Sequence, residues 1–169
     1  MTLPELAKIS VETYVKEKKI IELPADLSQE FLEKKSGVFV TVEKSGELRG
    51  CIGTYLPIRK NIAEEIIHNA IAAATEDYRF GPVGKEELPH LSYTVYILGE
   101  PELIKDIKEL DPKKYGIIVK TTERTGLLLP DLEGVDTTEE QISIACQKGG
   151  INPLKEKIII YKFTVEKYQ

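Results

Sequence analysis

Residues 37–55 contain the stretch that decides the fold. It begins with Gly37-Val38-Phe39-Val40-Thr41-Val42, turns at Lys44-Ser45-Gly46-Glu47 and returns along residues 48–55. Apolar, β-branched runs on both sides of a short polar turn predict a β-hairpin. After it we predict an amphipathic helix at about residues 61–75 and, from the alternating pattern of residues 91–98, a further strand.

Residues 116–165 show a similar order of elements. The pattern predicts a strand at 116–121, a turn at 122–126, a return at 127–130, a helix at about 138–148 and a strand at 157–165. Gly37 precedes Cys51 by as many residues as Gly116 precedes Pro130. We therefore predict an α+β fold, an antiparallel β-sheet with helices packed against it. The likeness of residues 37–98 and 116–165 favours two β-hairpin–helix–strand repeats meeting at a cleft, and a chance likeness of two short hairpins is the alternative.

Helix ends are marked clearly in two places. Thr2 can cap an amphipathic helix that extends to about residue 18. Thr137 and Glu140 have the spacing of a capping box, and Gly149-Gly150 is a typical helix stop. Cys146 falls on the apolar stripe of this later helix, so we expect it to be a buried small hydrophobe.

Composition excludes several classes of function. The 169 residues suit one domain (1–169), and the net charge of −5 with no basic stripe argues against nucleic acid. No apolar run approaches the ~20 residues of a membrane span, and the N-terminus lacks a signal-peptide pattern. We therefore expect a cytoplasmic protein that binds no membrane. Two separated cysteines and two histidines supply no zinc-type spacing, and no nucleotide-binding glycine motif occurs, so we predict no metal and no cofactor.

The run Leu48-Arg49-Gly50-Cys51-Ile52-Gly53 is the best candidate site. Glycine inside a strand often marks a place where something approaches the backbone closely, so Gly50 and Gly53 are candidate substrate-binding residues. An arginine beside a cysteine favours the thiolate, so Cys51 and Arg49 are the candidate catalytic residues. Strand packing of a small cysteine is the alternative. Neither His68 nor His90 has sequence support as a general base.

Three further polar residues are candidate substrate contacts. Asn69 lies at the edge of the apolar stripe of the first predicted long helix, where it either caps a loop or points into a cleft. Asp77 and Arg79 belong to a polar and aromatic cluster that ends this helix. They either form an inert surface pair or orient a polar substrate beside Cys51, since an arginine fork suits carboxylate or phosphate.

At these residues the chain resembles the AMMECR domain family, also called AmmeMemoRadiSam system protein A. The matching pieces are spread over nearly the whole chain in the expected order: Gly37-Val38-Phe39-Val40-Thr41, the hexapeptide 48–53, Asn69-Ala70, Asp77-Tyr78-Arg79-Phe80, Glu87-Leu88 and Gly126-Leu127-Leu128-Leu129-Pro130. The resemblance implies an α+β fold with a cleft near the hexapeptide. It implies no established reaction, although an enzymatic role has been suspected for the family.

The resemblance also implies partners. Bacterial members are often fused to, or encoded beside, a Memo-type protein, and a radical SAM protein commonly accompanies them. Many relatives have an acidic residue in the strand that here contains Thr94 and Tyr96, and this chain has no carboxylate there. If that acid is a general base in those relatives, Asp77 is its nearest replacement by sequence in this chain. The sequence thus predicts an enzyme or enzyme component that binds an unknown small molecule around Cys51. The alternative is a non-catalytic module that binds a Memo-type or radical SAM protein.

Overall fold

Two four-stranded sheets and four α-helices make up the computed structural model, which describes residues 1–169. The helices are α1 (Leu3–Glu17), α2 (Gln29–Glu33), α3 (Ile62–Thr75) and α4 (Thr138–Gly149). The strands are β1 (Val38–Lys44), β2 (Glu47–Thr54), β3 (Leu91–Leu98), β4 (Glu102–Leu103), β5 (Gly116–Lys120), β6 (Thr125–Leu128), β7 (Ile159–Phe163) and β8 (Val165–Tyr168). The predicted α+β fold with antiparallel sheet is confirmed. None of the helices combines the length and the apolar character that crossing a membrane requires.

The chain divides into two units, Met1–Leu98 with Glu166–Gln169, and Gly99–Val165. The first sheet has the order β2-β1-β3-β8 and the second, written in the matching direction, β6-β5-β7-β4. In each, a hairpin is followed by a helix and by a strand that pairs with the first strand of the hairpin. The fourth strand of each sheet does not follow that sheet's third strand in the chain. β4 follows β3 but pairs with β7, and β8 follows β7 but neighbours β3. That the units are repeats within one domain stays a prediction.

The first hairpin contains an irregularity that positions the site. Ser45 and Gly46 form its turn, with φ values of 53° and 84°, and Lys44 pairs with Glu47. The register then shifts between Val42 and Glu43, which leaves Arg49 as the extra residue of a β-bulge. Beyond the bulge Cys51 pairs with Thr41 instead of Val40, because one extra residue displaces every later pair.

In the first unit, α1 and α3 pack together and cover one face of the sheet. The core combines the buried stripe of α1 with Ile66, Ala70 and Ala73 of α3 and with alternate residues of β1 and β3. Thr2 caps α1, as predicted, and forms a full capping box with Glu5. Apolar burial of this kind stabilises the unit without any cross-link.

In the second unit, α4 alone covers the corresponding face of β5 and β6. Thr137 and Glu140 form the predicted capping box, and Gly150 ends the helix in the left-handed region at φ 65°. Cys146 is buried in the core cluster of this unit, as predicted, and burial raises the pKa of its thiol.

Some strand boundaries differ from those that the sequence predicted. The strand predicted over residues 157–165 is β7, which ends at Phe163; after Thr164 a separate strand, β8, begins at Val165 and belongs to the other sheet. The return strand β6 begins at Thr125 and ends at Leu128, before Pro130. The last pair of the ladder joins Leu128 to Ile117, so Leu129 and Pro130 lie beyond the strand.

Candidate functional site

Cys51 lies on the sheet face opposite to α3, in the edge strand β2. Its partner across the sheet is Thr41, which also pairs with Thr94 of β3, so the three side chains form a row on one face. The Thr41 Oγ1 hydroxyl donates to the Cys51 Sγ at 3.3 Å. A half-buried thiol with a hydroxyl donor on its sulfur is the centre of this site.

Asp77 fixes the backbone beside the thiol. It follows directly after the C-cap of α3, and its side chain is 4% exposed. The Cys51 amide donates to Asp77 Oδ2 at 3.0 Å, so the carboxylate closes the outer edge of β2 at this residue. Hydrogen bonds from Arg79, with help from the Cys51 amide, lower the pKa of Asp77 to about 2. A carboxylate held ionised in this way is a poor general base at neutral pH.

Arg79 binds the carboxylate that accepts from the Cys51 amide. Its Nε and Nη2 donate to the two Asp77 oxygens at 3.0 and 2.7 Å, and its guanidinium lies 5.2 Å from the centre of the Phe80 ring. The Asp77 carboxylate raises the pKa of Arg79 against the effect of burial, and the negative charge of an ionised Cys51 adds to this rise. Two hydrogen bonds to Asp77 thus hold the guanidinium on the carboxylate that accepts from the Cys51 amide.

Arg49 points into a different cluster. As the bulge residue its Nε and Nη2 donate to the two Glu87 oxygens, both at 3.0 Å, and it also donates to the carbonyls of Gly81 and Pro82. Glu87 additionally accepts from Lys44 and from the Gly84 amide. Arg49 lowers the pKa of Glu87 to about 2. Most of the donor capacity of Arg49 is thus engaged in holding the loop before β3 against the hairpin.

The two glycines of the hexapeptide are accounted for by packing. A Cβ at Gly50 would lie 2.0 Å from the Ala73 carbonyl oxygen of α3. A Cβ at Gly53 would meet the side chain of its strand partner Phe39 and the Val38 carbonyl. Both positions allow protein groups to approach the backbone closely, which is one use of glycine in a strand.

Asn69 also contacts the scaffold directly. It is buried on α3, and its Nδ2 donates to the Val38 carbonyl at 3.0 Å. The two histidines lie elsewhere on the first unit: His68 is on α3, where burial and then the charge of Arg59 lower its pKa, and His90 is exposed and directly precedes β3.

The sequence reasoning missed three residues as functional groups. Thr41 became the neighbour of Cys51 only through the bulge, and Glu87 was noted only as part of a family motif. Glu65, 1% exposed, accepts from Thr54 Oγ1 and from the amides of Ile58 and Arg59, so it holds the loop between β2 and α3. The sequence pattern that could have identified Glu65 is its position one turn before Asn69, on the inner side of α3.

Comparison with known proteins identifies the family. A model of the AMMECR1 family matches residues 4–168. The chain belongs to the AMMECR1 family. The resemblance drawn from the hexapeptide and the other motifs is thereby confirmed.

Members of the AMMECR1 family similar to this chain include both short and long proteins. A Thermotoga maritima protein is 53% identical over 160 residues, which cover 94% of this chain and 92% of that protein. A Clostridium acetobutylicum protein is 48% identical over 98% of this chain, but the match covers 35% of its own length. The crystal structure of an uncharacterized protein from Pyrococcus horikoshii is similar with a TM-score of 0.90 and 38% identity, covering 98% of this chain and 88% of that one.

Proposed function

We propose that this AMMECR1-family protein is an enzyme, or a component of one, whose reactive group is the Cys51 thiolate. The thiolate would act as a nucleophile toward an electrophilic carbon of a small-molecule substrate. A reducing cytoplasm would keep the thiol available. The single observation that carries the proposal is the connected set of Cys51, Asp77 and Arg79, in which one carboxylate binds both the Cys51 amide and the Arg79 guanidinium.

With this arrangement the reaction needs no general base. A thiol that is already ionised at neutral pH has lost its proton to solvent and can attack without a base. The Arg79 charge and the Thr41 hydroxyl favour the ionised sulfur, and in the proposal they outweigh the opposing charge of the Asp77 carboxylate. In the proposal Arg79 therefore has the role that the sequence gave to Arg49, and Asp77 is a positioning residue.

Comparison with the second unit supports a chemical role for Cys51. A Cβ at Gly126 of β6 would lie 1.9 Å from the Ala145 carbonyl of α4, the counterpart of the approach between Gly50 and α3. The residue after Gly126 is Leu127, where the first unit has Cys51. Since the same close packing is built there with leucine, packing alone does not require the thiol.

The test is the rate of Cys51 alkylation by iodoacetamide as a function of pH, followed by peptide mass spectrometry with Cys146 as internal control. We expect the midpoint of the Cys51 profile to lie below the ordinary cysteine value of ~8.5. The Arg79→Gln variant should move this midpoint up by about one pH unit, and Arg79→Lys should restore part of the shift. Arg124→Gln, which removes an exposed arginine of the second unit, is the matched control and should change nothing.

A Cys51 profile with an ordinary midpoint that Arg79→Gln leaves in place would contradict the proposal. If the profile is shifted as expected, Cys51→Ser should abolish turnover in a substrate screen while its unfolding midpoint stays close to that of the parent. An unfolded or aggregated Cys51→Ser protein would instead indicate a packing role.

A second candidate function is a non-catalytic module that binds a Memo-type or radical SAM protein. Two observations favour it: Tyr78 is 94% exposed beside Asp77 and Arg79, and the Clostridium acetobutylicum relative is much longer than this chain. Exposed aromatic side chains are common anchors of interfaces. Size-exclusion chromatography with Memo-type and radical SAM proteins from the same genome should show a complex at micromolar concentration that Tyr78→Ser weakens. Separate elution of all components would contradict this alternative.

A further inference from the structure

We propose that a groove on α4 of the second unit binds an amphipathic α-helix, in the position that α1 occupies on α3 in the first unit. The groove has a volume of about 610 Å³ and all of its lining residues belong to the second unit. Such a volume is within the range of ligand sites. The α4 residues that line the groove extend from Glu139 to Gln147, about two turns of helix, so an elongated partner can lie along them.

The two units can be aligned through their closest helix–strand approach. Gly50 faces the Ala73 carbonyl, and Gly126 faces the Ala145 carbonyl, at nearly equal distances. If Ala73 of α3 and Ala145 of α4 are taken as equivalent positions, the two helices align residue by residue. The five α4 residues that line the groove are Glu139, Ile142, Ser143, Cys146 and Gln147, and their α3 counterparts are Ile67, Ala70, Ile71, Ala74 and Thr75.

The counterparts on α3 lie in the core of the first unit. Ile67, Ala70, Ile71 and Ala74 are all buried and belong to the same cluster as the apolar stripe of α1, which packs on α3. The second unit contains a single α-helix, α4, so no helix of its own covers the matching face. The groove is thus the counterpart of the position that α1 fills in the first unit.

The residues of the groove define the chemistry of the helix that fits. Ile142, Cys146, Ile107 and Ile151 supply an apolar floor. Glu139, Ser143 and Gln147 stand where α3 has Ile67, Ile71 and Thr75, so the rim is more polar than the surface under α1. Glu139 is exposed and forms no salt bridge in the structure. The fitting helix has a narrower apolar stripe than α1 and a lysine or arginine beside that stripe to pair with Glu139.

The experiment titrates helical peptides into the isotope-labelled full chain and follows backbone amides by NMR. The parent probe is a peptide of residues 1–18, which contains α1 with its capping box. Six further peptides each replace one buried position of α1 by lysine: Leu3, Leu6, Ala7, Ser10, Val11 or Val15. We expect shifts confined to α4 and residues 150–153. At least one lysine peptide should bind about fivefold more tightly than the parent, as one partly exposed ion pair allows.

Variants of the full chain distinguish the groove from other surfaces. Glu139→Gln should remove the gain of the lysine peptide and leave the parent peptide unaffected. Ser143→Arg, which places a bulky side chain at an exposed rim position, should abolish binding of all peptides without disturbing the core. Glu133→Gln, an exposed carboxylate outside the groove, is the matched control and should bind like the parent protein.

Three results would overturn the proposal. One is the absence of α4 shifts with every peptide at about 1 mM, the weak limit of measurable binding. Another is binding that survives Ser143→Arg. The third is a set of α4 shifts that depends on protein concentration without peptide, because a second copy of this chain would then be the occupant.

Discussion

Both hairpins of this protein pack a strand closely against a helix, but they differ in the side chain and polar groups beside that contact. In β2 and in β6 a glycine lets a helix carbonyl approach the strand to about the same distance. The next residue is Cys51 in the first hairpin and Leu127 in the second. Only Cys51 has a carboxylate bound to its amide and a guanidinium beside it. The comparison teaches that the packing needs the glycine, whereas the thiol and its polar neighbours are an addition to one unit.

The largest effect on stability is expected from adding a methyl group at the glycine that both hairpins have in the same position. Gly50→Ala and Gly126→Ala should each lower the free energy of unfolding by about 3 kcal/mol, because the new Cβ would overlap a helix carbonyl. Urea unfolding of both variants measures the loss. Gly46→Ala is the control, since its φ is +84° but nothing lies within 4 Å, and it should cost only about 1 kcal/mol. A Gly50→Ala protein no less stable than Gly46→Ala would refute the packing role.

A second difference between the units is sensitivity to acid. The pKa values of Asp77 and Glu87, both in the first unit, are lowered to about 2. A carboxylate whose folded pKa lies below its unfolded value stabilises the fold above the unfolded pKa, near 3.8 for Asp and 4.5 for Glu. This stabilisation is lost as the pH falls from there toward 2. We expect each carboxylate to contribute on the order of 2 kcal/mol at pH 7.

Urea unfolding at several pH values, with amide exchange to locate the loss, tests this acid sensitivity. Glu87→Gln should lower stability at pH 7 and flatten the pH dependence below 4.5. Glu109→Gln changes an exposed carboxylate of the second unit and should have the smaller effect. Equal effects of the two variants would show that the Arg49–Glu87 cluster does not stabilise the first unit.

The two cysteines should respond differently to the same substitution. Cys146→Ser places a hydroxyl in the core of the second unit and should cost about 2 kcal/mol. Cys51→Ser keeps a polar group beside Thr41 at a half-buried position and should cost less than about 1 kcal/mol. Thermal or urea unfolding measures the loss of stability in each variant. A larger loss for Cys51→Ser than for Cys146→Ser would make Cys51 the structural cysteine.

The smallest expected effect concerns the hydroxyl beside the thiol. Thr41→Val removes the donor to Cys51 Sγ with little change of shape, and should slow alkylation at neutral pH about twofold to threefold. Thr94→Val is the control because Thr94 pairs with Thr41 and not with Cys51. An equal change in both variants would indicate a general effect of the sheet face instead of a hydrogen bond to sulfur.

Much of the fold could be predicted from local signals. The cap at Thr2, the capping box of Thr137, the helix stop at Gly150 and the strand β3 all appear in the structure where the sequence indicated them. The alignment of the two halves could not be predicted in this way. Equal spacing from Gly37 and Gly116 aligned Cys51 with Pro130, whereas the glycine–helix contacts align it with Leu127.

By itself, the sequence determined the long helices, the two hairpins, the family and the choice of Cys51 as the candidate residue, because caps, periodicity and motifs are local properties of the chain. Only the tertiary structure decided which groups surround the thiol. The bulge at Arg49 shifts the hairpin register by one residue, so Thr41 faces Cys51 and Arg49 turns to Glu87. Asp77 reaches the Cys51 amide because α3 ends beside the edge of β2. Register and helix placement depend on contacts between residues far apart in the chain, and a shift of one residue moves a side chain to the other face of a sheet.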